Sequence, residues 1–348
     1  AADPMAIGFE RNVAGHAAGG PGSYYGADNY GNNKPGPWGV PDLEEFHGSD
    51  VFLTEALTLK AEQELELAAQ QQQPFFLQMA QYAVHSPIQK DPRFFEYFKN
   101  KGLDDKEAAY ASLVAGVDAS MSRILDKLEE LNLSDNTLIV FCSDNGGLSA
   151  HSRGVTPLGT SKDTHNQPLR SGKGSGYEGG IRVPLILAWA GASRPGYELP
   201  ADSMLPFATL SNDVYSTIAD VAQIPRDWRH VDENAHAASL WPIIAGKLGL
   251  VQRPMVWHYP HKWGPSGDRY EPFTAWREGY YKLIYWYETE QFELYNLQND
   301  IGESSDLINS HPEIAQRLAN NLQQWMTAVD AQRPRRKADG EMLPLPTL

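Results

Sequence analysis

Three short polar clusters hold the side chains best suited to chemistry. His85, in "YAVHSP", closes an apolar run, where an imidazole can donate to an anion or protonate a leaving oxygen. A lone histidine at a strand end serves equally well as a structural residue. Asp144 and Asn145, in "CSDNGG", offer a carboxylate and an amide oxygen side by side. These are hard ligands suited to Ca²⁺ or Mg²⁺, with no soft ligand to favour zinc. The same residues also favour a plain turn. The third cluster is "PLRSGKGSGYEGGIRVP", where glycines 172, 174 and 176 surround Lys173 and allow close backbone approach. From His151 to Arg182 five basic residues (Arg153, Lys162, Arg170, Lys173, Arg182) stand against two acidic ones, Asp163 and Glu178. That is a positive patch in a chain of net charge −15. It suits an anionic substrate, with His151 and Arg170 as further contacts. It is not a Walker-type phosphate cradle, because Lys173 is followed by neither Ser nor Thr.

The elements that must position these clusters follow from periodicity. "PFFLQMAQYAV", "TLIVFCSDNGG" and "VPLILAWAG" are apolar runs of strand length, and each reads as a strand buried on both faces. Helices are predicted over 51–69, 106–131, about 211–223 and 237–246. This alternation predicts an α/β domain with a mainly parallel sheet flanked by helices, and such sheets place ligand sites at the carboxyl ends of their strands. Residues 1–50 lack either periodicity and read as a long irregular Gly/Asn/Pro-rich loop. From Arg253 the texture changes to short aromatic runs such as "FTAWREG" and "YYKLIYWYE", then a helix opened by Pro312. The expected division is an α/β domain over 1–250 and a small α+β subdomain with an antiparallel sheet over 251–348.

The net charge disfavours nucleic acid and anionic membrane as partners. No apolar run reaches the ~20 residues of a membrane span. The single cysteine, Cys142, excludes an intramolecular disulfide and a Cys-based zinc site. It reads as a buried strand residue.

Taken in order, these segments resemble the sulfatase family of the alkaline-phosphatase-like superfamily. "GFERNVAGHAAGGPGSYYG" resembles the stretch after the family's Lys-x-His-Leu-Gly motif. "PFFLQMAQYAVHSP" resembles the strand bearing its substrate histidine, and "LIVFCSDNGGLS" its metal strand. "PLRSGKGSGYEGGIRVP" resembles its lysine loop, while "VWHYPH" and "ELYNLQNDIGESSDL" resemble its small C-terminal subdomain. The resemblance implies that Asp144 and Asn145 bind one Ca²⁺, that Lys173 contacts the sulfate and bridging oxygen, and that His85 binds sulfate and acts as general acid. It implies a formylglycine nucleophile, made from a cysteine in Cys-x-Pro/Ala-x-Arg. Cys142 lies instead in Cys-Ser-Asp-Asn-Gly, and the 348 residues hold no Cys-x-Pro/Ala-x-Arg, Lys-x-His or paired aspartates after a first strand. The expectation is therefore an N-terminally truncated sulfatase, with part of the calcium shell and the nucleophile upstream. The resemblance also implies a periplasmic or secreted location.

The aromatic residues Trp257, Tyr259, Trp263, Trp276 and Trp286 suggest a sulfated carbohydrate as substrate, since aromatic faces stack on sugar rings. Two other functions fit the same residues. One is a phosphatase or phosphonate hydrolase of the same superfamily, and the other a non-catalytic protein that binds sulfated glycans.

Overall fold

The computed structural model describes residues 3–149, 165–205, 207–225, 237–246, 253–263 and 269–348. The chain forms two compact units. The first takes in Ala1–Thr137 and Trp189–Ala192; the second takes in Thr160–Ala188 and Ser193–Leu348 together with the strand that starts at Leu138. The sequence texture puts a division near residue 250, whereas compactness groups the lysine loop with the C-terminal sheet.

In the first unit the glycine-rich segment before residue 50 is irregular but packed. Tyr24, Tyr30, Val40 and Leu43 are buried with Phe52, Leu53 and Leu113 in one core. The Tyr24 ring stacks on Phe52 with centroids 5.4 Å apart. Three helices follow, α1 (Leu53–Gln71), α2 (Phe95–Asn100) and α3 (Asp105–Glu130). The Asp104 carboxylate caps α3 by accepting from the N–H groups of Lys106 (2.9 Å) and Glu107 (3.0 Å). Arg123 on α3 reaches Glu62 on α1 through two hydrogen bonds of 2.9 and 2.8 Å, the two-pronged geometry that only a guanidinium supplies. Thr58 donates to Ser120 at 2.7 Å between the same helices.

The second unit holds β1 (Leu138–Cys142), α4 (Glu178–Ile181), β2 (Leu185–Trp189), α5 (Asp213–Val221) and α6 (Trp241–Ile244). It continues with β3 (Met255–Tyr259), β4 (Phe273–Glu278), β5 (Tyr281–Trp286), β6 (Gln291–Asn296) and α7 (Pro312–Ala328). Strands β3 to β6 form an antiparallel meander, with Ala275 opposite Ile284 and Leu283 opposite Leu294. Side chains alternate across its faces, as the pleat requires. Leu283, Tyr285 and Leu294 pack against Leu318, Leu322 and Met326 of α7. Ala275, Ile284 and Trp286 face the other way and enclose Tyr177. The α/β class and the C-terminal antiparallel subdomain are thus as the sequence indicated.

Several expected strands differ. The run from Pro74 forms no strand, and Phe76 is 61% exposed. β1 and β2 pair as a two-stranded sheet and are only half-buried, with Ile186 54% exposed. Gly146 N–H, beyond the end of β1, bonds to Gly180 O ahead of β2, while Ala190 N–H, beyond β2, bonds to Thr137 O ahead of β1. That pairing is antiparallel, not the parallel one expected. Cys142 is exposed, not a core residue. An apolar run becomes a doubly buried strand only when strands flank it and layers cover it. Among the described residues β1 and β2 have only each other, and the run from Pro74 has no ladder partner. No described helix is long and apolar enough to cross a membrane.

Two substitutions separate core packing from capping. Leu318→Ala, at a fully buried α7 position, should cost about 2–5 kcal/mol. Asp104→Ala should cost only about 1 kcal/mol. Urea denaturation of each variant measures both.

Candidate active site

The acidic turn after β1 and the lysine loop before α4 form one structure. Lys173 N–H bonds to Gly147 O at 3.0 Å, and Gly146 N–H to Gly180 O at 2.9 Å. The Asn166 side-chain amide donates to Gly147 O and to Ser171 O, both at 2.9 Å. The glycines permit these crossings. A Cβ on Gly146 would lie 1.9 Å from Gly179 O, and one on Gly180 would lie 2.1 Å from Ser175 O. Asp144, Asn145 and Lys173 are therefore brought to one place by main-chain bonds.

The loop is in turn fixed to the C-terminal sheet. Tyr177 is fully buried, and its hydroxyl donates to Glu293 at 2.7 Å. Arg170 lies 3.9 Å above the Tyr177 ring and donates to Glu303 O at 3.0 Å. Arg170, expected at the substrate, makes these contacts with the Tyr177 ring and the Glu303 carbonyl. Lys282, on β5 and wholly buried, donates to Glu178 at 2.9 Å and to Glu303 at 2.8 Å. Glu303 also accepts the Glu178 backbone N–H at 2.6 Å, at the start of α4. Burial pushes the Glu178 carboxyl up, but the attraction of Lys282 outweighs this and leaves it below the usual carboxylate value. For Glu303 burial wins, and its carboxyl stays above that value despite Lys282.

Asp144 and Asn145 fit an edge of a hard-cation site. The Asp144 side chain is exposed and makes no ion pair among the described residues. The Asn145 amide nitrogen is spent on Gly146 O at 3.0 Å, which leaves its oxygen as the ligating atom. Two such ligands fall short of the six to eight that calcium takes. No cluster of three or more His, Cys, Asp or Glu suited to a metal occurs among the described residues.

His85 belongs to the first unit. Its Nδ1 lies 2.8 Å from Ser86 O, a carbonyl that can only accept, so Nδ1 carries the proton. Its Nε2 then donates only as the imidazolium. The Tyr24 hydroxyl lies 2.7 Å from the Tyr82 carbonyl and 2.9 Å from the His85 carbonyl and shares its one proton between them. Gly20 packs so closely that a Cβ there would lie 2.7 Å from Nδ1. His151 falls outside the described residues. Of the aromatics expected to meet sugar, Trp276 and Trp286 are core residues, and Trp257 and Tyr259 pack against the cluster around Tyr177. Trp263 lies at the loop, with the Lys173 ammonium 5.5 Å from its ring centre.

These features define an α/β protein in which an acidic turn and a lysine loop are locked together on an antiparallel sheet. The chain belongs to the sulfatase family: residues 7–224 match the Sulfatase family, and residues 172–332 match the C-terminal region of N-sulphoglucosamine sulphohydrolase. A sulfatase of Formosa agariphila is 30% identical over 86% of this chain and 53% of its own length. An N-acetylgalactosamine-6-O-sulfatase of Bacteroides thetaiotaomicron is 25% identical over 93% of this chain and 62% of its own. The crystal structure of Ps i-CgsB superposes with a TM-score of 0.68 at 27% identity, covering 90% of this chain and 65% of that one. Its complex with k-i-k-neocarrahexaose superposes with a TM-score of 0.66 at 28% identity, covering 84% and 59%. The chain thus spans between half and two thirds of the length of these relatives.

Lys282→Met should cost about 3–5 kcal/mol, because it leaves two buried carboxylates without their cation. The lowered Glu178 value gives stability that is complete above the carboxyl's unfolded value and lost as pH falls through the folded one. Glu303 works in the opposite sense, since its raised value makes protonation favour the fold. Glu178→Gln should therefore flatten the acid limb of stability below the usual carboxylate range. Urea titrations at a series of pH values measure both effects.

Proposed function

We propose that the protein of which this chain is part hydrolyses sulfate esters of a carbohydrate, outside the cytoplasm, with one calcium ion and a formylglycine nucleophile. The observation that carries the proposal is the main-chain lock between Lys173 and the turn bearing Asp144 and Asn145. It fixes the backbone carrying Lys173 beside the turn carrying two hard oxygen ligands, an arrangement suited to an oxyanion held between an ammonium and a cation that those ligands would bind. The carbohydrate part rests on relatives: one is named for N-acetylgalactosamine 6-O-sulfate, and one structural neighbour holds a neocarrahexaose.

In this reading Asp144 and the Asn145 side-chain oxygen ligate calcium, which supplies Lewis-acid stabilisation of charge on the sulfuryl oxygens. Lys173 binds sulfate and steadies negative charge growing on the bridging oxygen. His85, whose Nδ1–H is held by Ser86 O, would serve in this reading as the general acid, its imidazolium protonating the leaving oxygen. The 348 residues contain no Cys-x-Pro/Ala-x-Arg, so the nucleophile is not among them. That last observation also favours a second reading for the chain by itself, the binding of sulfated glycans without turnover.

The test is sulfate release by the full-length protein from a sulfated galactan oligosaccharide, followed by ion chromatography with and without a calcium chelator. Lys173→Ala and Asp144→Ala should each lower kcat/KM by about a hundredfold or more. His85→Ala should cost about 10²–10⁴ on the sugar sulfate and far less on a nitrophenyl sulfate, whose leaving group needs no proton. Release that is unaffected by all three substitutions sinks the proposal. The 348-residue chain by itself should give no turnover of a nitrophenyl sulfate, and stoichiometric activity would require a nucleophile among its own residues.

A further inference from the structure

The lysine loop carries an aromatic contact that the sulfate chemistry does not use. The Lys173 ammonium lies over the Trp263 indole, 5.5 Å from the ring centre. Next to it Gly174 has φ +95°, and a Cβ built there would lie 2.2 Å from Trp263 Cε3 and 2.9 Å from Cζ3. The indole therefore fills the space that a side chain at 174 would take. The ring of Tyr270, itself buried, meets the indole edge-on at 6.5 Å and 74°. Trp263 is thus positioned from two sides, yet it remains half-exposed, unlike the core residues Trp276 and Trp286.

We infer that Trp263 is the specificity-determining wall of the Lys173 site, the face on which the ring of a sulfated sugar stacks while its sulfate meets the ammonium. The inference rests on the sulfatase proposal for Lys173 and extends it to the part of the substrate that is not sulfate. A sugar sulfate presents an anion and an apolar C–H face one ester linkage apart. Here the cation lies over the aromatic ring, 5.5 Å from its centre, so a sulfate on the ammonium brings the sugar that carries it to the same indole. Aromatic faces are large, rigid and apolar, so stacking adds affinity at little entropic cost. A free sulfate ion offers the ammonium a partner and the indole nothing.

The test is isothermal titration of the full chain, in calcium, with a sulfated galactan hexasaccharide, its desulfated counterpart and inorganic sulfate. Trp263→Ala should weaken hexasaccharide binding by about tenfold and leave inorganic sulfate unchanged, and Trp263→Phe should keep most of the affinity. Trp263→Leu fills the space beside Gly174 without an aromatic face, so it gives the same answer if the alanine variant fails to fold. Hexasaccharide affinity that is unchanged in Trp263→Leu but lost in Lys173→Ala overturns the role of Trp263 and leaves the sulfate proposal standing. Equal losses for hexasaccharide and inorganic sulfate also overturn it, since the indole would then act only through the ammonium. A wild-type chain that binds no sulfated hexasaccharide overturns both.

Discussion

Within the second unit, most of what positions the candidate site depends on one buried cation. Lys282 projects from the middle of an aromatic strand into a space where water does not reach, and meets Glu178 and Glu303 there. An ammonium in that position is tolerable only with carboxylates against it, and they are tolerable only with the ammonium. Each of the three comes from a different piece of chain. Lys282 belongs to the sheet, Glu178 begins the helix after the lysine loop, and Glu303 lies beyond the last strand. Satisfying the charges therefore fixes the loop to the sheet, and Arg170 and Tyr177 complete the attachment.

The glycines do the rest by omission. At residues 146–147 and 172–180 the chain approaches itself at distances that exclude a Cβ, and the amides of Gly146, Lys173 and Gly179 bond to main-chain carbonyls. Glycine-rich composition that reads as a loose loop is held there by backbone bonds. Electrostatics then act over fixed separations. The backbone that carries Lys173 and the backbone that carries Asp144 and Asn145 are held together before any ligand arrives, which is the condition under which charged groups are most effective.

Much of this was legible from residue types alone. The helices with clean 3.6-residue stripes are where periodicity put them, Pro312 opens the last one, and the aromatic texture after Arg253 marks the antiparallel sheet. The three polar clusters stood out because they interrupt apolar runs. What the one-dimensional pattern missed depends on neighbours. "PFFLQMAQYAV" has the composition of a central strand, but composition does not supply the strand beside it. Arg170 and Lys173 look alike in sequence, and only the structure shows that Arg170 meets the Tyr177 ring and the Glu303 carbonyl. Trp263 and Trp286 also look alike, and burial separates them. One signal was available and unused: a lysine in "YYKLIYWYE", among side chains that pack on both faces, has to be neutralised by something distant in sequence.

Because the spacing between Lys173 and the acidic turn is written in main-chain bonds, it is insulated from side-chain change around the rim. Trp263 meets the loop at Gly174 and under the Lys173 ammonium, and takes no part in the main-chain bonds that set this spacing. On the proposed function, selectivity and reactivity would be stored in separate parts of the chain. A library that randomises position 263 and its neighbours while leaving 144–147 and 172–180 untouched would explore new sugars at little risk to the chemistry.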